Sequence, residues 1–175
     1  MSSRHPNAEV LREFFDAFGA PDRDRLAKLV TDEFVWHFPG NSPISGDWLG
    51  IDGVLDGIRA TAMTLGDGHN GFELQHVYAD ESSVVTVHRD YYTGEGNHLD
   101  LRYVLYVRME GGRMAEVWEI PFDQAENDRY LAVQAGVLAR RAADAAGVGQ
   151  SGSHPRTSQP DTPGPRRHSE SIAGR

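Results

Sequence analysis

No cysteine occurs in the 175 residues of the sequence, which excludes disulfides, thiolate nucleophiles and cysteine-bound zinc. Lysine is nearly absent too: Lys28 is the only one, so arginine carries almost all of the positive charge. Long hydrophobic runs are also missing. Nowhere do ~18 apolar residues follow one another, and the opening "MSSRHPNAEV" has no apolar signal core. Neither a secretory signal nor a membrane span is expected, and a cytoplasmic protein is. Basic charge is in deficit as well, with a formal net charge of −9. From Gly149 onward four arginines face one aspartate and one glutamate, which leaves roughly −11 on residues 1–148. Such a surface repels nucleic acid and anionic lipid.

The length suits one domain with a sizeable core. Residues 1–6 read as a flexible N-terminus and 7–146 as the domain. The tail 147–175, rich in Gly, Ser, Pro and Arg, has too little apolar surface to offset its ordering entropy and reads as disordered. Within the domain, Val10, Leu11, Phe14, Phe15 and Phe18 recur at helical spacing after Asn7, a good N-cap, and Gly19 to Pro21 stops that helix. Asp22 caps a second short helix, and Phe34 to Phe38 form a strand ended by Pro39-Gly40. Ile51, Val54, Leu55, Ile58, Ala62 and Leu65 then make one apolar stripe on a third helix. Beyond "GDGHNG" the period changes to two: "FELQHVYA", "SSVVTVHRDYYTG", "HLDLRYVLYVRME" and "MAEVWEIPF" read as four strands of an antiparallel meander, with "EGGR" as a tight hairpin. A last helix runs from about Asn127 to Ala145. The order predicts an α+β domain whose helices cover one face of a curved sheet.

That order, with "FVWHFPGNSPISGDWLGIDGV" and "HRDYYTGEGNHLDLRYVLYVRMEGGRMAEVWEIPFDQAENDRYLA", resembles the SnoaL-like branch of the NTF2-like superfamily, which includes polyketide cyclases and ketosteroid isomerases. The resemblance spans roughly residues 7–135. It implies an NTF2-like conical barrel, a curved, mainly antiparallel sheet with helices enclosing a deep cavity, and it implies a homodimer paired through the outer face of the sheet. The isomerase base would fall at Phe38 or His37, depending on whether Pro39 or Ser45-Gly46 is matched. Neither is a carboxylate.

A cavity enzyme of this kind needs an acid or base of suitable pKa and a donor where negative charge develops. Three residues are the catalytic candidates: His37 and His88 to move a proton, and Asp90 to orient. His37, with an ordinary pKa of about 6.5, either works in the cavity or, by strand alternation, points away from Trp36 and Phe38. His88 and Asp90 share one strand face, the spacing by which a carboxylate orients an imidazole. Trp36, Phe38, Tyr103 and Trp118 are candidate walls, and Glu116 a candidate substrate contact. Glu119, on the opposite face from Glu116, is an alternative second acid. No His-x-His, His-x-x-x-His, P-loop or dinucleotide fingerprint is present, so neither a metal nor a cofactor is expected.

The function these features imply is a cofactor-independent cyclase or isomerase acting on a small hydrophobic polyketide-type or carbonyl substrate by positioning and acid–base catalysis. Two alternatives stand beside it: a non-catalytic ligand-binding or dimerising module, and an epoxide hydrolase built on Asp90, Arg102 and Asp100.

Overall fold

In the computed structural model, residues 5–20, 22–59, 69–94 and 96–150 are described. The elements are α1 (Pro6–Gly19), α2 (Arg23–Leu29), β1 (Val30–Phe38), β2 (Gly46–Leu49), α3 (Gly50–Gly53, continuing as a π-helical turn over Val54–Arg59), β3 (His69–Ala79), β4 (Ser83–Gly94), β5 (Asn97–Glu110), β6 (Arg113–Pro121) and α4 (Gln124–Gln150). The six strands form one curved sheet in the order β2-β1-β6-β5-β4-β3. The expected meander is present, and β1 joins it parallel to β6. The α+β architecture read from the sequence is therefore the observed one.

Several boundaries differ from the sequence reading for local reasons. Helix α1 starts at Pro6, a residue suited to a first turn because its missing N–H has no intrahelical partner to lose. Its cap is His5, whose Nδ1 accepts from the Asn7 N–H at 3.2 Å. Asn7 instead lies inside the helix, buried, and donates from Nδ2 to the Asp80 carbonyl at 2.7 Å, tying α1 to the β3–β4 turn. Asp22 caps α2 as expected, accepting from the Arg25 N–H at 3.0 Å. Strand β2 had no periodic signal in its four residues and was not anticipated; it pairs antiparallel with β1. The third helix is described only to Arg59, and Ala62 and Leu65, expected on its stripe, lie outside the described residues. Strand β3 begins at His69, inside the stretch read as a loop. Helix α4 is longer at both ends than expected, reaching from Gln124 to Gln150. The β5–β6 turn holds Gly111 and Gly112 at φ +57° and +75°, the pair of left-handed residues that a two-residue hairpin needs.

One core cluster lies between α1, α2 and the sheet. Phe14 is its centre, with Phe18, Phe34 and Trp36 at ring-centroid distances of 6.0, 6.3 and 5.9 Å. A second cluster, built on Phe38, Ile44, Leu99, Tyr103, Tyr130 and Leu131, seats α4 against the far end of the sheet. Trp48 bridges toward both and is fixed by its Nε1–H donating to the Ile44 carbonyl at 2.8 Å. Under its ring sits Gly57, where a Cβ would come within 1.8 Å of Trp48 Cζ3. Gly57→Ala is expected to displace the indole and cost about 1–3 kcal/mol, read as a lower midpoint in thermal unfolding with the activity of the folded fraction unchanged. An unchanged midpoint would mean that the ring shifts freely.

Candidate active site

The space between the two clusters is a cavity of roughly 350 Å³. Sheet curvature makes room for it, and bulges accentuate that curvature, one between Leu74 and His76 on β3 and one at Ala115 on β6, opposite Arg108 and Met109. Much of the wall is aromatic. Phe15 and Phe18 come from α1, Trp36 and Phe38 from β1, Phe72 from β3, and Tyr92 and Tyr103 from β4 and β5. Among the described residues no arginine or lysine lines it.

One wall is different. His88 and Asp90 on β4 point inward and meet Glu119 of β6, and the three are 2 %, 8 % and 8 % exposed. His88 Nε2 lies 3.9 Å from Asp90 Oδ2 and 3.9 Å from Glu119 Oε1. The remaining polar contacts are few. Trp36 Nε1–H donates to Glu119 Oε2 at 3.1 Å, and the Tyr92 hydroxyl donates to Asp90 Oδ2 at 3.3 Å. His88 Nδ1 and Asp90 Oδ1 have no hydrogen-bond partner. The imidazole is instead held by rings, lying nearly parallel to Tyr103 at 5.3 Å and beside Phe72 at 5.2 Å.

Burial without a counter-charge decides the protonation of this group. Desolvation pushes the Asp90 carboxyl up to about 7, partly offset by the Tyr92 hydrogen bond. Desolvation, and then the nearby Asp90 carboxylate, push Glu119 up to about 8 against the Trp36 hydrogen bond. Burial lowers His88 to about 4, which keeps it neutral. The two acids titrate as a coupled pair and share one proton near neutrality. As a set of ligands, His88, Asp90 and Glu119 have one donor atom each within 4.8 Å of one another. Bonds of ~2.1 Å to a divalent ion would draw such atoms to roughly 3 Å apart, closer than the 3.9 Å that separates His88 Nε2 from each carboxyl.

Trp36, Phe38, His88, Asp90 and Tyr103 thus converge on the cavity, whereas His37, Glu116 and Trp118 do not line it. The reason is the two-residue period: Trp36 and Phe38 turn inward, so His37 turns outward, and on β6 Val117 and Glu119 turn inward, so Glu116 and Trp118 turn outward. On that outer face His37 has its own role. Its Nδ1 contacts Asp47 Oδ1 at 2.7 Å and its Nε2 contacts Glu116 Oε1 at 2.9 Å, while Trp118 stacks on the ring at 4.8 Å. Desolvation opposes the charge, but hydrogen bonds to the two carboxylates outweigh it and raise the His37 pKa. It is a clamp between β1, β2 and β6. His37→Ala is therefore expected to leave cavity ligand affinity within about twofold while lowering stability by about 1 kcal/mol; a tenfold loss of affinity would place it functionally with the cavity.

The epoxide-hydrolase set is not assembled either. Asp100 and Arg102 lie on the outer face, where Asp100 accepts a bidentate pair from Arg89 at 2.6 and 2.5 Å, and Asp90 is on the inner one. Glu119, named only as an alternative, is a full member of the inner cluster. The signal for it was its place in register with Val117 and Pro121 on the apolar side of β6. Asn127 and Leu131 of α4, Tyr92 and Phe72 also line the cavity and were not singled out.

An open curved sheet wrapped by helices around an apolar cavity, with a few ionisable groups on the inner sheet face, defines the NTF2-like class. A family model described as a SnoaL-like domain matches residues 11–117, and the chain belongs to that family, in the branch that includes polyketide cyclases and ketosteroid isomerases. It is 26% identical to the uncharacterized protein Rv0034 of Mycobacterium tuberculosis over 125 residues, covering 71% of this chain and 95% of that protein. Among solved structures it is similar to Bal32a from a soil-derived mobile gene cassette, at a TM-score of 0.65 and 26% identity, over 72% of this chain and 96% of that one. An NTF2-like protein from Burkholderia pseudomallei shares the fold, with a TM-score of 0.61 and 21% identity over 73% of this chain and 98% of its own. No helix among the described residues is long and apolar enough to cross a membrane.

Proposed function

We propose that this protein is a cofactor-independent cyclase or isomerase that moves a proton on a small hydrophobic carbonyl compound. What supports this reading is one observation: among the described lining residues the two carboxyls and the imidazole of a largely apolar cavity lie within 4.8 Å of one another, and burial brings both acids into the neutral range. Environments that push two carboxyls apart assign them an acid and a base. Asp90, whose Oδ1 has no partner, is the base that takes a proton from carbon next to the carbonyl. Glu119, whose Oε2 is held by Trp36, carries the shared proton and donates to the enolate oxygen as charge develops there. His88, neutral and 3.9 Å from each, relays the proton between them. The aromatic walls exclude water and hold a flat ligand in a reactive conformation. The homodimer implied by the resemblance would use the outer face, where Tyr106 and Ile120 are exposed beside Trp118.

Solvent deuterium exchange tests the chemistry without the natural substrate. An aryl methyl ketone such as 2-acetylnaphthalene, incubated in D2O, should exchange its methyl protons faster with the protein than without it. Tight binding with no accelerated exchange would favour a ligand-binding module instead.

A further inference from the structure

The cavity has a second polar point, at a distance from His88, Asp90 and Glu119 along the Tyr103 ring. Asn127 stands on the first turn of α4, is 1 % exposed, and lines the cavity. The Tyr103 hydroxyl donates to Asn127 Oδ1 at 2.8 Å, and Asn127 Nδ2 has no hydrogen-bond partner in the protein. A buried amide N–H left unmatched costs about 1–3 kcal/mol, so an unsatisfied donor on a residue that lines the cavity marks a place where a small side-chain turn lets a ligand complete the bonding. The acceptor preference follows from the Tyr103 O–H to Asn127 Oδ1 bond, because with the amide turned the unpartnered position would hold Oδ1 and call for a donor on the ligand.

The position is held rigidly. Asn127 N–H donates to the Asp123 carbonyl at 3.1 Å, and the Asp123 side chain caps the helix by accepting from the Glu126 N–H at 3.0 Å. The next residue, Asp128, accepts from the Asn41 N–H at 2.9 Å, and Gln124 Nε2 donates to the Pro39 carbonyl at 3.2 Å, so the start of α4 is pinned to the turn after β1. Tyr103 links the two polar points directly: its ring lies flat on His88 and its hydroxyl end orients Asn127.

We infer that Asn127, oriented by Tyr103, is a second substrate anchor, and that the ligand is an uncharged, flat compound with two oxygen functions, one at the His88–Asp90–Glu119 wall and an acceptor oxygen at the Asn127 amide. The inference rests on reading the cavity as the substrate site. Absence of arginine and lysine from the described lining fits an uncharged ligand, and a donor-rich amide selects an acceptor at that end.

Two near-isosteric probes test it by calorimetry: 2,6-diacetylnaphthalene, with an acceptor carbonyl at each end, and 2-acetyl-6-isopropylnaphthalene, in which one carbonyl is replaced by an apolar branch of similar size. The wild-type protein should bind the diketone about tenfold more tightly. Asn127→Leu, close in volume, should remove that preference while keeping affinity for the monoketone. Tyr103→Phe, which retains the ring on His88, should reduce the preference without abolishing it. Equal binding of the two probes by the wild type, or a preference that survives in Asn127→Leu, overturns the anchor and leaves the cavity as the ligand site. Failure of the wild type to bind either probe removes the cavity reading and the anchor with it.

Discussion

Asp90→Asn is expected to lower the rate of ligand deuterium exchange by about 10²–10⁴-fold, the usual worth of a positioned general base. The amide is isosteric, and its oxygen can still accept from the Tyr92 hydroxyl that now reaches Asp90 Oδ2, so the fold and the cavity shape should persist. The pH dependence carries a second signature. With Asp90 pushed up to about 7 and Glu119 to about 8, exchange should rise as the base ionises and fall as the acid loses its proton, giving a narrow bell whose limbs belong to the pair. Glu119→Gln retains a donor but cannot transfer a proton, so it should flatten the alkaline limb. Because the Asp90 charge is part of what raises Glu119, Asp90→Asn should also move the alkaline limb to lower pH. Undiminished exchange in Asp90→Asn would end the assignment of that residue as base.

Stability should fall as pH rises from about 5 to about 9, and the buried acids should account for most of the slope. The sign follows from linkage. Both folded-state pKa values are raised above the ordinary carboxyl values of about 3.9 and 4.3, so the folded state binds more protons than the unfolded chain, and the associated stability is present at low pH and lost up to about 8. His88 acts oppositely: its folded pKa is lowered to about 4, so its contribution is present above about 6.5 and lost as pH falls below that. Two protons against one leave a net decline across the whole window. The loss is on the order of several kcal/mol, a drop of about 10 °C or more in melting temperature for a domain of this size. His37, with its raised pKa, adds to the decline in the same direction, whereas Asp52, Asp100 and Glu126, lowered by their arginine partners, act only in acid. Melting curves of Asp90→Asn and Glu119→Gln isolate the buried pair: each should be more stable than the wild type above pH 8 and show a shallower slope. A wild-type slope unaltered by both substitutions would show that these carboxyls do not stay protonated in the folded protein.

Much of this was legible in the residues. The stripe Leu11, Phe14, Phe18 dictates α1 because 3.6-residue periodicity leaves one face to bury, and "EGGR" dictates its hairpin because only glycine takes two left-handed conformations in succession at little cost. Alternation along "VTVHRDYY" likewise assigns His88 and Asp90 to one face, and along "WEIP" assigns Glu119 to the face opposite Trp118. What alternation leaves open is which face looks inward where both carry polar and aromatic residues. On β6 both faces do, and pairing with β1 and β5 decided for Glu119.

Strand β3 shows the limit most directly. Phe72, Leu74, His76 and Tyr78 share a parity, yet a bulge at position 75 reverses it, so Phe72 faces the cavity with His88 while Tyr78 is exposed on the other side. Asn127 is a second case, since nothing in its own segment distinguishes an asparagine on a solvated helix face from one seated over Tyr103. The sequence alone thus determined most of the elements, though not β2, together with the family and the pairing of His88 with Asp90, because those depend on local period and short-range order. Only the tertiary structure brought Glu119 and Asn127 to the same cavity and turned His37 away from it, because register, bulges and helix docking are set by contacts between segments that lie 24 to 83 residues apart along the chain.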